Sequence, residues 1–485
     1  MNSQDMFNGI SDIRDSLIEE AKNPPMRRRR LVRRSWLGAI AAALVIIMLL
    51  GIFRKPNSNS AIAPYAIAKA EYPEMAQCPS DDDLYNDEAE SAWNAWREDV
   101  MAQQRDLGDI SSLQAFFARS AETILSGNDD ENLIFSPLNF YMLISSLAQT
   151  TNGKSRQEVL ELLGSDSIEE LRKQVSDVWN SSYRDDGVYT SILANSLWLD
   201  DDVTPNQETM DILAKDFYVS SYQGDMGSKQ LNEAMQNWIN EQTGGLLEEL
   251  LEEQDWSSDI DGFCRLAFLS TLYFNAKWSF PEEDTAIQTF HTPNGDIETE
   301  FMHRKDAEHF YWGEKFTAVN CPFNRGGSMW FILPDEGYTP EKLFSDKEAL
   351  DFMFTADKED WENQSHRYVD KAIPKFDVSS KLDLKDSLKK LGVKEVFAPK
   401  GNDFSSIIID ADNSLALGLI NQTNRVMINE KGCEAASFGG YWDFDSAPMN
   451  DEVIEFVLDR PFIFCITGDN GLPLFVGIVN CPMGE

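Results

Sequence analysis

Apolar positions along the chain follow three patterns. The first is a solid block: Trp36 to Phe53 reads WLGAIAAALVIIMLLGIF, without a charge. At about 1.5 Å rise per residue a helix of that length covers roughly 27 Å, close to the hydrocarbon thickness of a bilayer. Arg27 to Arg30, Arg33 and Arg34 precede the block, and only Arg54 and Lys55 follow closely. This bias predicts a transmembrane helix at 36–53, with a cytoplasmic N-terminus and the large C-terminal part outside. Trp36 fits an interfacial anchor. A cleaved signal peptide is the competing reading. Against it, the stretch before the block is too long, and Pro64 follows the small residues Ala61-Ile62-Ala63.

The second pattern is helical. Leu113 to Leu125, Asn139 to Ala148 and Ser155 to Leu163 carry apolar residues at helical spacing, with Asn152-Gly153 as a turn. The third pattern is strand-like. It covers Leu193 to Leu199, Leu266 to Trp278, Met329 to Leu333, Ile407 to Ile409, Arg425 to Asn429, Val453 to Leu458, Phe462 to Ile466 and Leu474 to Val479. The last two flank a hairpin loop, Gly468 to Pro473. Helices first and strands later predict a mixed α+β domain over 107–485. Residues 1–35 read as a polar and then basic cytoplasmic tail. Residues 54–80, with Pro56, Pro64 and Pro73, read as a linker. Residues 81–106 are acidic, yet Trp93, Trp96, Val100 and Met101 recur at near-helical spacing, so an added helix that packs on the domain is expected.

Charge removes one class of partner. The chain has 42 basic and 82 acidic residues, a net charge of −40. A body that acidic repels phosphate backbones, so no nucleic-acid partner is expected. The cysteines Cys78, Cys264, Cys321, Cys433, Cys465 and Cys481 are scattered without a Cys-x-x-Cys pair. They predict neither a required disulfide nor a metal site. His291, His303, His309 and His366 make no metal-binding pattern in sequence. There is no Gly-x-Ser-x-Gly elbow, phosphate loop, dinucleotide fingerprint or His-Glu-x-x-His helix. No catalytic residues and no cofactor are expected.

Short strings in a fixed order are more informative. They begin with Asn132 to Pro137 (NLIFSP) and Leu193 to Trp198 (LANSLW). Asn232, Trp238, Ile239, Asn240, Thr243 and Gly244 come next, then Phe274 to Trp278 (FNAKW) and Phe290, Met302 and Met329. Ile373 to Phe376 (IPKF), Leu384, Leu388, Leu391, Gly392, Phe397 and Asp403 to Ser405 (DFS) continue the order. Asp459 to Phe462 (DRPF), Leu474, Phe475, Gly477 and Pro482 close it. This series resembles the serpin family of serine-protease inhibitors over 107–485. The resemblance implies the serpin fold: a helix-rich N-terminal half, three β-sheets and an exposed reactive-centre loop. With the block at 36–53, it points to a membrane-anchored, bacterial member whose serpin domain is extracellular or periplasmic. It also implies a protein that is no enzyme but traps one, an elastase-, chymotrypsin- or subtilisin-like serine protease. A non-inhibitory binding or scaffold protein on the same fold is the alternative.

The resemblance assigns the working parts. Glu430, Gly432, Cys433, Glu434, Ala435 and Ala436 resemble the serpin hinge, usually Glu-x-Gly-Thr-Glu-Ala-Ala. In that family the cleaved loop enters a sheet as a new strand. Alternate side chains are then buried, and with Cys433 inward so are Ala435, Ser437 and Gly439, all small. Phe438, the Gly439-Gly440 pair and Asp443 depart from the usual pattern. Cys433 reads either as a small hinge residue or as a redox control point. Ser136, Ser270 and Gln422 fall in the polar "shutter" where the sheet opens, the last two replacing the commoner Asn and His. Counting forward from Glu430 places the scissile bond at Ser446-Ala447. Counting back from Pro461 places it near Met449 or Asn450, and a shift of one residue gives Asp445.

Overall fold

Ser136 starts the central element of the domain. Its hydroxyl accepts from the Asn139 amide, and Pro137 occupies the first turn, so the chain enters the helix Pro137–Thr150. Every residue of that helix is buried. Its polar side chains survive burial by bonding backward: Ser145 donates to the Tyr141 carbonyl, Ser146 to Met142 and Thr150 to Leu147. The computed structural model describes residues 61–79, 87–127, 131–247, 265–280, 284–355, 358, 360–398, 403–409, 415–433 and 453–483. The expected tail at 1–35 and transmembrane helix at 36–53 lie outside these residues. Among the described residues no helix is long and apolar enough to cross a membrane.

This helix lies under an eight-stranded sheet. In spatial order its strands are Ala66–Ala68, Val219–Gly224, Tyr189–Asp200, Leu266–Lys277, Gly432–Cys433, Leu419–Asn429 and Phe376–Asp383, with Arg184–Asp185 pairing beside Tyr189–Asp200. The two long strands Tyr189–Asp200 and Leu266–Lys277 run antiparallel, from Tyr189 opposite Ala276 to Leu199 opposite Leu266. Both faces of this sheet are covered, which explains the nearly unbroken apolar sequence of its strands. Phe268, Leu272 and Phe274 point into the main core with the buried helix. Ala267 and Leu269 point the other way, into a smaller cluster with Leu231, Met235, Trp238 and Ile239 of the helix Lys229–Gln242.

The other strands form one nine-stranded network, where the resemblance predicts two further sheets. A short ladder explains the merger: Phe310, Tyr311 and Trp312 of the strand Gly295–Trp312 pair with Val319, Ala318 and Thr317 of Phe316–Pro322. That ladder stitches the two halves together. The expected strand Ile407 to Ile409 shrinks to a single antiparallel bridge, Ile408 opposite Pro205. Ile407 is buried, but its backbone is tied to the 204–206 segment, with the Asn206 amide donating to the Ile407 carbonyl and the Ile409 amide to Thr204.

The expected linker at 54–80 is also revised. Residues 61–79 are built into the domain, and Ala66–Ala68 adds an edge strand to Val219–Gly224. Ile62 is buried in the smaller cluster that the helix Lys229–Gln242 also lines. The Tyr72 ring lies 5.3 Å from Trp179 and 5.7 Å from Tyr183. Proline and alanine content hid four apolar anchors: Ile62, Tyr65, Ile67 and Tyr72. The acidic helix forms as Asp87–Gln103 and buries Trp93 and Trp96. Trp96 Nε1 donates to Asp186 Oδ2 at 2.8 Å, and Asp186 also accepts from Arg184 Nε at 2.7 Å.

If this extension is structural, Ile62→Ala removes a buried side chain from the cluster. It is expected to cost about 2–5 kcal/mol. Differential scanning fluorimetry of the full chain should show a lowered melting temperature. An unchanged melting temperature would return 61–79 to the role of passive linker.

Candidate functional site

Two long strands of the eight-stranded sheet pair directly with each other at one end only. Leu419–Asn429 runs parallel to Leu266–Lys277 from Leu419 opposite Ala267 to Gln422 opposite Ser270, and no further. At the other end the two-residue strand Gly432–Cys433 lies between them. Gly432 sits opposite Lys277 and Cys433 opposite Ala276 on one side, while Cys433 sits opposite Ile428 and Gly432 opposite Asn429 on the other. Between these ends is a slot. Thr271 to Asn275 line one edge and Thr423 to Met427 the other, with no strand between them among the described residues.

Glycine is required where the chain turns into the slot. Gly432 has φ +150, and a Cβ there would lie 2.3 Å from the Ala276 carbonyl oxygen and 2.8 Å from the Lys277 Cα. No side chain fits against that backbone. Cys433 follows, buried in the main core, on the face that the alternation of the hinge requires.

The turn before it is held on three sides. Trp278 Nε1 donates to the Asn429 carbonyl at 2.9 Å, and the Trp278 amide donates to the Lys431 carbonyl at 3.1 Å. The Trp278 ring stacks on Phe323, with centroids 4.9 Å apart. Lys375 Nζ lies 2.8 Å from Glu430 and 3.1 Å from Glu300. Burial pushes the Glu430 carboxyl up, but the Lys375 ammonium outweighs it and holds the group below the usual carboxylate range.

At the closed end, polar side chains fasten the sheet to the helix beneath it. Gln422 Oε1 accepts from the Ser136 amide at 2.8 Å and from Asn424 Nδ2 at 3.0 Å. Gln422 Nε2 returns a bond to the Ser136 carbonyl at 3.1 Å. Asn139 Nδ2 donates to the Thr271 carbonyl at 2.7 Å, and Asn195 Nδ2 donates to Asn139 Oδ1 at 3.0 Å. Ser136 and Gln422 thus meet. Ser270 lies beside Gln422, but its buried hydroxyl has no hydrogen-bond partner among the described residues. Asn139, Asn195 and Asn424 join the network and were not singled out from sequence. Asn139 carried one usable signal, its place three residues after Ser136.

Glu434, Ala435, Ala436, Asp445, Ser446, Ala447 and Met449 lie outside the described residues. Among the described residues no group of three or more His, Cys, Asp or Glu gathers to hold a metal. None of the described cysteines is in a disulfide.

A parted sheet with a glycine-gated strand starting into it matches a known architecture. The family model described as "Serpin (serine protease inhibitor)" matches residues 111–482. The chain belongs to the serpin family. A serpin-like protein of Methanosarcina acetivorans is 28% identical over 382 residues, covering 74% of this chain and 83% of that one. Plasminogen activator inhibitor 1 of Sus scrofa is 26% identical over 379 residues, covering 74% of this chain and 89% of that one. Among solved structures, Arabidopsis AtSerpin1 in its native stressed conformation superposes with a TM-score of 0.67 at 24% identity, covering 78% of this chain and 99% of that one. The family is described as one of serine protease inhibitors, not of enzymes. The family match begins at residue 111, after the docked extension.

Gly432→Val should push the Gly432–Cys433 strand out of the sheet, because the new side chain collides with the Ala276–Lys277 backbone. Cys433, now buried, should then be alkylated at least about tenfold faster, since a buried thiol is inert and an exposed one reacts. Peptide-level mass spectrometry after a timed iodoacetamide pulse reads this. An unchanged Cys433 rate would show that the hinge tolerates a side chain.

Proposed function

We propose that this serpin inhibits an elastase-, chymotrypsin- or subtilisin-like serine endopeptidase as a suicide substrate, from a membrane in which residues 36–53 hold it. One observation carries the inhibitory reading: the two ladders flanking Cys433 agree. Each step along the chain beyond Cys433 moves one step back along both neighbours. Continued so, residues 434–438 face Asn275 to Thr271 on one side and Met427 to Thr423 on the other. Residue 439 then comes opposite both Ser270 and Gln422, which are already partners of each other. A strand can slide through this register without slipping.

The chemistry follows from that geometry. The protease serine attacks the carbonyl of the residue before the scissile bond, placed first at Ser446, and forms an ester as the new amine leaves with the C-terminal segment. The freed loop then fills the slot. Its inward residues, Cys433, Ala435, Ser437 and Gly439, are small, and Gly439 passes Gln422 without displacing its amide. Past that point the Leu419–Gln422 ladder with Ala267–Ser270 must open. Full insertion adds on the order of ten to fifteen backbone hydrogen bonds, each worth roughly 0.5–1.5 kcal/mol. This drives the attached protease away from the geometry in which water could release it.

The test is to incubate the full chain with each protease. We expect a covalent complex that survives SDS, a released peptide starting at Ala447, and a higher melting temperature for the nicked chain. Cys433→Arg should be cleaved but form no complex, because a buried charge at the hinge is costly. Cleavage without complex, with no rise in melting temperature, would sink inhibition in favour of a non-inhibitory scaffold.

Anchoring rests on the apolar block and its flanking arginines. The chain should sediment with membranes and resist alkaline carbonate, and deletion of 36–53 should release it. Wild-type protein in the carbonate supernatant would overturn the anchor. External protease should digest the serpin domain of intact cells and spare the N-terminal tail.

A further inference from the structure

Two histidines that are 57 positions apart in sequence meet on one sheet face. His309 of the strand Gly295–Trp312 is the direct cross-strand partner of His366 of Gln364–Pro374. Both are exposed. Their rings lie 5.1 Å apart between centroids at an angle of 78°. Directly opposed residues send their side chains to the same face, close enough to share a ligand.

A third residue prepares the pair. His309 Nδ1 lies 2.9 Å from Gln364 Oε1. With Nδ1–H donating to the amide oxygen, the lone pair is on Nε2, free to meet a ligand. Metal-bound imidazoles are commonly oriented in this way, with one nitrogen donating to a carbonyl and the other bound to the ion. The same-face neighbours Ala307, Tyr311, Gln364 and Tyr368 bring no positive charge. The chain as a whole, at −40, attracts cations.

We propose that His309 and His366 form a two-imidazole site for a divalent transition-metal ion, Zn2+, Ni2+ or Cu2+, with water in the remaining positions. Imidazole ligands favour these ions, whereas Mg2+ and Ca2+ prefer carboxylate oxygens, which none of these four neighbours supplies. The ion ties Gly295–Trp312 to Gln364–Pro374. The latter strand also carries Val453–Val457, the first described strand after the loop, along its other edge. The bound ion therefore braces the anchorage of the loop's far end.

The test uses the full chain in detergent, made without a polyhistidine tag and freed of metal. Calorimetric titration with ZnCl2 or NiCl2 should show one saturable site per chain. Cu2+ should give an electron paramagnetic resonance spectrum with hyperfine structure from two imidazole nitrogens. His309→Ala and His366→Ala should each abolish the site, with unchanged circular dichroism because both residues are exposed. Gln364→Leu should weaken binding by about 10–100-fold. His291→Ala and His303→Ala should leave it intact. Absence of saturable binding, or binding that survives in the His309→Ala/His366→Ala double variant, would overturn the proposal.

Discussion

The structure depends on a gap left between two strands. Backbone N–H and C=O groups are obligatory hydrogen-bonding groups, and a strand edge without a neighbour is a template for pairing. Among the described residues, Leu266–Lys277 and Leu419–Asn429 leave such edges open over Thr271 to Asn275 and Thr423 to Met427, in the middle of a sheet covered on both faces. The sheet begins to heal itself at one end with Gly432–Cys433 and is pinned shut at the other by four paired residues on each strand. The chain's own next residues are the nearest strand that could complete it.

What keeps the slot from closing or opening further is a polar network joined to a buried helix. Gln422 spans the boundary: it bonds both backbone groups of Ser136 and takes a third bond from Asn424. A buried amide with this many partners is costly to disengage, since each broken bond strands a desolvated group. The resemblance allowed Ser270 and Gln422 as a matched polar pair replacing Asn and His. The structure divides that work unequally. The long amide at 422 reaches Ser136, while the hydroxyl at 270 reaches nothing among the described residues.

Periodicity made the strands of the densest core legible. Phe462–Thr467 and Pro473–Val479 lie within a residue of the expected limits, because both their faces are buried and their loop carries strong turn residues. The helices Ser111–Leu125 and Pro137–Thr150 extend their predicted spans by about one or two residues at each extended end, the usual uncertainty of helix limits. What stayed hidden depends on register between distant segments. A two-residue strand at Gly432–Cys433 has no period to detect. Ala66–Ala68 is a strand only because Val219–Gly224 has a free edge. His309 and His366 make no pattern until a ladder sets them opposite each other. Asn139 and Asn195 look like ordinary helix and strand residues until they bond to each other and to Thr271.

The docked extension and the slot answer to different free-energy differences. Contacts present in both the intact and the loop-inserted form cancel when those two forms are compared, and count only against the unfolded chain. Ile62 in the smaller cluster, Trp93 and Trp96 on the domain, and the Trp96–Asp186–Arg184 bonds all lie outside the slot. Contacts there that survive insertion raise resistance to unfolding while leaving the drive for insertion untouched. Gly432, Cys433 and Gln422 sit at the two ends of the slot, where the proposed insertion would change contacts. A fold that must be durable and yet uphill of another fold can therefore gain stability at its edges, provided the centre of the sheet stays unfilled.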